Sequence, residues 1–194
     1  MEIIPVWKRV TPELKDELIA FWKRNKAFDI ERANLRAEQA VCVARDEQGA
    51  LCCVGTAFIQ VLPRLQQPMY YYRHFFAESH RGQKHTVPFF NGAKQVLQDY
   101  NASLPAPESI GVLVELESDI LAKYYQQARI PHADSTFIGY SPRGLQLRVT
   151  YFEGATLFPP VPRSAQAASA AEGITVAAPE NERPRRAAAQ KNQA

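Results

Sequence analysis

The order of apolar patterns along the chain predicts an α/β (α+β) fold, in which a mixed central sheet of about six to seven strands is flanked by helices. Three observations support this prediction. An amphipathic helical pattern lies near the start, two β-rich runs flank a turn that contains glycine, and helical patterns alternate with strands in the second half of the 194 residues. The chain is 46% hydrophobic and 22% charged, which is typical of a globular domain and excludes a collagen or coiled-coil protein.

The first helix is predicted over residues 12–25, after a short strand at residues 3–9. Thr11 is a typical N-cap residue, and Pro12 suits the first helical position because its missing N–H would have no partner there. Apolar residues then recur at helical spacing, as in Leu14 and Leu18. Residues 29–36 are a candidate for a second, shorter helix.

Three strands are predicted in the middle of the chain. The runs AVCVAR and LCCVGTAFIQVL flank a polar turn that contains Gly49 and predict an antiparallel hairpin. The run MYYYRHFFA at residues 69–77 predicts a further strand, because aromatic residues favour strands. A polar, basic loop over residues 78–86 follows and leads into a helix, with Thr86 as its expected cap and Pro88 in its first turn.

The remaining elements are a strand at residues 110–116, a helix at residues 118–129 and a closing hairpin of strands 135–140 and 145–153. Ser118 is the expected cap of the helix. Four of its residues share the spacing of an inner face: Ile120, Leu121, Tyr124 and Tyr125.

The chain divides into a domain over residues 1–157 and a basic tail over residues 158–194. The tail has eleven alanines and no aromatic residue from position 164 onward, so we expect it to be disordered. Two of the three net positive charges lie in the tail. The domain therefore has too weak a field to indicate a nucleic-acid groove from charge alone, although the aromatic and basic run YYYRHFF leaves base stacking open as one hypothesis.

The three cysteines, Cys42, Cys52 and Cys53, lie in apolar runs and show neither a disulfide framework nor metal-ligand spacing, so we expect reduced, buried thiols and no metal. The N-terminal segment MEIIPVWKRV lacks the pattern of a signal peptide, and no apolar run approaches the ~20 residues of a membrane span. We therefore expect a cytoplasmic protein with no membrane partner.

The loop that follows the aromatic strand carries the first functional signal. Exposed amides and cations at the start of a helix favour an anion, because the helix dipole is positive there. The element order and this loop resemble the GNAT N-acetyltransferase superfamily, in which an Arg/Gln-x-x-Gly-x-Gly/Ala loop cradles the pyrophosphate of acetyl-CoA. The resemblance implies cofactor contacts from Arg81, Gly82, Gln83, Lys84, His85 and Thr86, with Lys84 and Thr86 standing at the two positions that the pattern reserves for small residues.

The segment SDILAKYYQQARI resembles the superfamily's Asn-x-x-Ala-x-x-x-Tyr-x-x-x-Gly-Phe motif and places Tyr125 at the tyrosine that protonates the departing thiolate of CoA. The resemblance further implies that backbone amides of the preceding aromatic strand hold the thioester carbonyl, namely those of Phe75, Phe76 and Ala77. Glu115 and Glu117 are candidate bases for the acceptor amine, and His74 is a second choice.

Two functions follow from this resemblance. The first is an acetyl-CoA-dependent N-acyltransferase that acts on an amine-bearing small molecule or protein. The alternative is a catalytically inactive GNAT-fold binding or regulatory module, because several motif positions depart from the superfamily's pattern. Residues 26–38 and 135–153 are expected to select the acceptor, and a homodimer stays open as the quaternary arrangement.

Overall fold

The computed structural model describes residues 2–63 and 65–159. This part of the chain contains eight strands and four α-helices. Their bounds are β1 Glu2–Pro5, α1 Pro12–Arg24, α2 Ile30–Glu38, β2 Ala40–Arg45, β3 Leu51–Leu62, β4 Gln67–Phe76, α3 Thr86–Ser103, β5 Gly111–Glu115, α4 Asp119–Tyr124, β6 Arg129–Ile130, β7 Ser135–Tyr140 and β8 Gln146–Tyr151.

One mixed sheet holds all eight strands, in the order β1-β2-β3-β4-β5-β8-β7-β6. Neighbouring strands are antiparallel except for β4 and β5, which run parallel. The predicted fold class is thereby confirmed. The strand count of six to seven was low because the sequence pattern did not predict the two-residue strand β6, which begins at the last residue of the predicted helix 118–129.

The helices cover both faces of the sheet. The Thr11 side chain accepts a hydrogen bond from the Leu14 N–H at the start of α1, and the Asp29 carboxylate does the same for Arg32 at the start of α2. Both helices pack on the face that presents Val54. Helix α3 packs on the opposite face, against the rings of β4.

The aromatic residues of β4 belong to the core. Tyr70 and Tyr72 are 0% and 1% exposed. Since a ring must be accessible to stack on a base, these two rings cannot form the base-stacking platform that the sequence left open. The three cysteines are buried and free, as expected.

Helix α4 is shorter than predicted and presents a narrower inner face. It ends at Tyr124, and the side chains of Ile120 and Tyr124 are 80% and 71% exposed, so only Leu121 and Tyr125 of the predicted face turn inward. The physical reason lies on β8, where Arg148 donates hydrogen bonds to the carbonyls of Tyr125 and Gln127 at 2.6 and 2.9 Å. These carbonyls therefore accept hydrogen bonds from Arg148 rather than from a continuing helix, and the chain leads into β6.

Two other predicted boundaries shift slightly. Thr86 is the first residue of α3, and its N-cap position is taken by His85, whose side chain makes no capping bond. Phe158, the first residue of the predicted tail, is held to β4 by two hydrogen bonds between its backbone and the Gln67 amide. The rest of the predicted disordered tail, from residue 160 onward, lies outside the described residues.

None of the described helices is both long and apolar enough to cross a membrane. Within the described ranges, no group of three or more histidine, cysteine, aspartate or glutamate side chains has the arrangement of a metal site.

Candidate active site

The parallel pair β4 and β5 separates partway along its length. Tyr70, Tyr71 and Tyr72 pair with residues 112–114 of β5, and no pair follows. Strand β4 nevertheless continues to Phe76, paired only with β3. A cleft that is partly open to solvent lies on the α3 face where the two strands diverge. Its lining includes His74, Thr86, Val114, Tyr125 and Arg148.

The free edge of β4 faces this fork. The Ala77 N–H donates to the Cys52 carbonyl at 2.9 Å, so that amide is already used by β3. Hydrogen bonds of an antiparallel pair alternate along a strand, and the amide of Phe75 therefore also faces β3. Of the three amides that the resemblance implied, the one on the free edge is that of Phe76; the amide of His74 lies on the same edge.

The loop before α3 presents a row of backbone N–H groups. Among the described residues, the amides of residues 82 to 87 donate no hydrogen bond. Gly82 and Lys84 have φ values of 78° and 58°. Lys84 thus adopts the left-handed conformation that favours glycine, at a cost of about 1–2 kcal/mol. The backbone shape expected of a small residue is present although the residue is a lysine.

The side chains of this loop are mostly engaged within the protein. The Arg81 Nε donates to the Phe76 carbonyl at 3.1 Å, and the guanidinium lies 5.2 Å from the Phe75 ring. Gln83 donates to the Ser79 carbonyl, and its amide oxygen lies 3.1 Å from the His85 Nε2. The loop therefore offers its backbone to an anion, and Arg81 stabilises the loop against β4.

Tyr125 follows the last residue of α4 and lines the cleft, with its N–H bonded to the Leu121 carbonyl at 2.8 Å. The ring is partly buried beside Tyr124, at a centroid distance of 5.0 Å. Burial raises the pKa of Tyr125 above its usual value. The phenol is therefore protonated at neutral pH and is able to donate a proton.

His74 and Arg148 complete the polar lining of the cleft. Burial lowers the pKa of His74 to about 4, so its ring is neutral at pH 7, and its Nδ1 has no partner among the described residues. Arg148 is 3% exposed, and its Nη1 likewise has no described partner. Sequence reasoning missed Arg148, although a single charge between Leu147 and Val149 in an apolar strand was a usable signal.

Glu115, the last residue of β5, and Glu117, two residues beyond it, lie on the opposite side of the chain from Val114 and Leu116, which line the cleft. Glu115 accepts hydrogen bonds from the Tyr71 hydroxyl at 2.5 Å and from Arg143 at 2.6 Å. Burial alone would raise the pKa of Glu115, but these bonds outweigh it and hold the pKa below its usual value. Glu117 binds the same guanidinium at 2.9 Å.

The fold thus brings some of the predicted site residues together and separates others from them. Thr86, Tyr125 and the second-choice base His74 line one cleft, with the free edge of β4 beside it. The two carboxylates are placed across the sheet and are held by Arg143. The distinction depends on which face of β5 each residue occupies.

No family model matches the sequence, and no curated protein is significantly similar to it. Solved structures are similar in fold. A GNAT-family acetyltransferase from Streptococcus pneumoniae is 11% identical, with a TM-score of 0.53 over 78% of this chain and 98% of that one. A GNAT-family acetyltransferase from Listeria monocytogenes is 15% identical, with a TM-score of 0.44 over 72% and 86% of the two chains. The likeness to the pneumococcal structure, at this low identity, shows that the chain has the GNAT fold.

Proposed function

We propose that this protein is an N-acyltransferase that transfers the acetyl group of acetyl-CoA to an amine. The observation that carries the proposal is the row of free amides over residues 82–87, which leads into the same cleft as Tyr125. Helix α3 begins within this row, so its dipole adds to the attraction for a phosphate group. The pyrophosphate of acetyl-CoA would bind there, with the thioester reaching into the fork.

The chemistry requires a polarised carbonyl and an acid for the leaving group. The free edge of β4 supplies the amide of Phe76, which would donate to the thioester oxygen as negative charge develops on it. The amine nitrogen attacks the carbonyl carbon, the C–N bond forms, and the C–S bond breaks. Tyr125 would then give its phenolic proton to the thiolate and regain one from the solvent.

The proton lost by the amine has no carboxylate acceptor among the described residues of the cleft. Glu115 and Glu117 are paired with Arg143 across the sheet. We therefore infer that the acceptor reacts as its free amine, with water or neutral His74 taking the proton after attack. The rate is expected to rise with pH until the acceptor amine is fully deprotonated.

Binding of acetyl-CoA is testable by isothermal titration with two matched glycine variants. Gly82 and Gly49 both have positive φ, 78° and 80°, and open space around the position of a Cβ atom. Valine resists this conformation by about 1–2 kcal/mol, so Gly82→Val should weaken acetyl-CoA binding roughly 5- to 30-fold. Gly49→Val introduces the same backbone cost in the β2–β3 turn, which lies outside the loop of residues 82–87 and outside the lining of the cleft, and should leave the affinity unchanged. Absence of binding to the unaltered protein at millimolar acetyl-CoA, or equal affinity in the two variants, would refute the proposed site.

An inactive GNAT-fold module is the second candidate. The departures from the family pattern at Lys84 and Thr86 favour it, and so does the engagement of Arg81 with the Phe76 carbonyl rather than with open solvent. Thioester consumption over a broad panel of amines separates the two functions. Turnover with any amine excludes the module, whereas binding of acetyl-CoA without turnover supports it.

A further inference from the structure

A group of arginines lies beside the fork on the sheet face opposite the cleft. Arg73 is the first residue of β4 beyond the last β4–β5 pair. It alternates with His74, so its side chain leaves the other face of the strand, the one that carries Tyr71. Arg32 and Arg36 occupy successive turns of α2, which packs on that same face. The arginine cluster of Arg32, Arg36 and Arg73 therefore borders the free edge of β4.

Aromatic rings hold two of these guanidinium groups in place. The guanidinium carbon of Arg73 lies 5.2 Å from the ring centres of both Phe58 and Tyr71. That of Arg36 lies 4.0 Å from the ring centre of Phe28. Stacking of this kind orients the plane of the guanidinium and leaves its edge for a ligand.

The same two groups lack the anionic partners that partly buried arginines usually have. No described carboxylate forms an ion pair with any member of the arginine cluster. The Arg73 Nη2 has a single contact, 3.4 Å from the Gln39 side-chain oxygen, and the buried Arg73 Nε has no described partner. Leaving such groups unpaired costs free energy.

Glu115 and Glu117 form no ion pair with the arginine cluster, because they share the guanidinium of Arg143; the charge of Glu117 still acts on Arg36 and Arg73 from a distance and raises their pKa. Burial and the neighbouring charge of Arg73 lower the pKa of Arg36 to about 10, and burial likewise lowers the pKa of Arg73. Both groups are still cations at pH 7. Like charges held together without a partner form a favourable site for an anion.

We propose that Arg36 and Arg73 bind the carboxylate or phosphate group of the acceptor, and that the acceptor is therefore an amine that also carries a negative charge. The identification of the bound molecule as an acetyl acceptor rests on the proposed function, whereas the anion site itself does not depend on it. Arg73 and Phe76 are three residues apart, about 10 Å along the strand. An amine separated from its anionic group by several bonds would reach the fork while the anion stays on the arginine cluster.

Binding of the anion is measured first, without acetyl-CoA. Glutarate and inorganic phosphate are titrated separately into the full-length protein while the arginine Nε–Hε signals are followed by NMR. Saturable shifts of Arg36 and Arg73 are expected, with at least tenfold weaker binding in Arg73→Gln and Arg36→Gln and unchanged binding in Arg9→Gln, an exposed arginine outside the arginine cluster. The anion that saturates at the lower concentration identifies the favoured chemistry.

Failure of either anion to shift these signals saturably, or equal binding in all three variants, would overturn the inference. Displacement of the bound anion by acetyl-CoA would also overturn it, because the arginine cluster would then bind the phosphates of the cofactor. Acetyl-CoA binding by titration calorimetry is measured on the same sample. Loss of the proposed function and loss of the anion site are thus separate results.

The second measurement compares matched acceptors. Acetyl transfer to 6-aminohexanoate is compared with transfer to hexylamine, and transfer to 3-aminopropylphosphonate with transfer to propylamine. At least a tenfold higher kcat/KM is expected for the anionic member of the favoured pair, and Arg73→Gln should abolish that preference while Arg9→Gln keeps it. Equal rates for charged and uncharged amines would contradict the assignment of an anionic acceptor.

Discussion

Replacement of Arg143 by methionine leaves Glu115 without a cationic partner, although the Glu115 side chain is only 7% exposed. Removing one partner of a fully buried ion pair costs about 3–5 kcal/mol, and breaking an exposed pair costs about 0–1 kcal/mol. This pair lies between those limits, because the Arg143 side chain is 41% exposed and the Tyr71 hydroxyl still donates to Glu115. We expect Arg143→Met to lower the free energy of unfolding at pH 7 by about 2 kcal/mol.

The pH dependence of this loss has a definite sign. In the unaltered protein the folded-state pKa of Glu115 is below its usual value, so the stabilisation is present above the unfolded pKa of about 4.3 and is lost as the pH falls through the folded pKa. Without Arg143, its hydrogen bond and its charge no longer lower the pKa of Glu115, and we expect burial to outweigh the remaining bonds from Ser141 and Tyr71 and to raise that pKa above its unfolded value. The variant then becomes relatively more stable in acid, and its deficit should shrink from pH 7 to pH 4.

Urea unfolding at pH 7 and pH 4 measures this effect, with the fluorescence of the buried Trp7 and Trp22 as the signal. Arg129→Met is the matched control, because Arg129 pairs with Asp134 at side-chain exposures of 70% and 54%. We expect the control to cost about 0.5 kcal/mol or less. A deficit in Arg143→Met no larger than the control's, or one independent of pH, would refute the reasoning.

Three further outcomes are expected. Tyr125→Phe should lower kcat at least about 100-fold without changing acetyl-CoA affinity, because only the proton donor is lost; Tyr124→Phe, on an exposed ring, should change neither in the same steady-state and calorimetric assays. Lys84→Gly should keep acetyl-CoA affinity within about threefold by calorimetry, because glycine suits the φ of 58° and the backbone holds the anion; a tenfold loss would assign binding to the lysine ammonium instead. Gly55→Ala should lower the free energy of unfolding in urea by about 1–3 kcal/mol, because the added Cβ would lie 2.7 Å from the Tyr72 hydroxyl; a neutral result would show that the ring moves aside freely.

Much of the fold was predictable because its signals are local. The cap at Thr11, the proline that follows it and the turn at Gly49 act over a few residues, and each marks an element that the structure contains. The end of α4 was not predictable in this way. It depends on Arg148, which is 23 residues away from Tyr125 in the chain and donates a hydrogen bond to the Tyr125 carbonyl, so that this carbonyl does not accept a helical hydrogen bond.

The candidate site shows the same division. Tyr125 and the loop around Lys84 were identifiable from their resemblance to family motifs, and the structure places Tyr125 and Thr86 of that loop in the lining of one cleft. The two glutamates were identifiable as acids at a strand end, but spacing did not show what they touch. Arg143 lies 28 residues from Glu115 in the chain and binds its carboxylate directly. The candidate base is therefore a member of an ion pair.

The sequence by itself determined the order of the main helices and strands and which loop bears an anion-binding pattern, because periodicity, caps and turn residues act within one or two turns of the chain. Tyr125 was identified by the resemblance of its segment to a family motif. Only the tertiary structure decided that β4 and β5 part after Tyr72, that Glu115 is paired and that Arg36 and Arg73 form no ion pair with a described carboxylate. Strand pairing and charge pairing join residues that are tens of positions apart. Their outcome depends on how the whole core packs, so no local pattern encodes it.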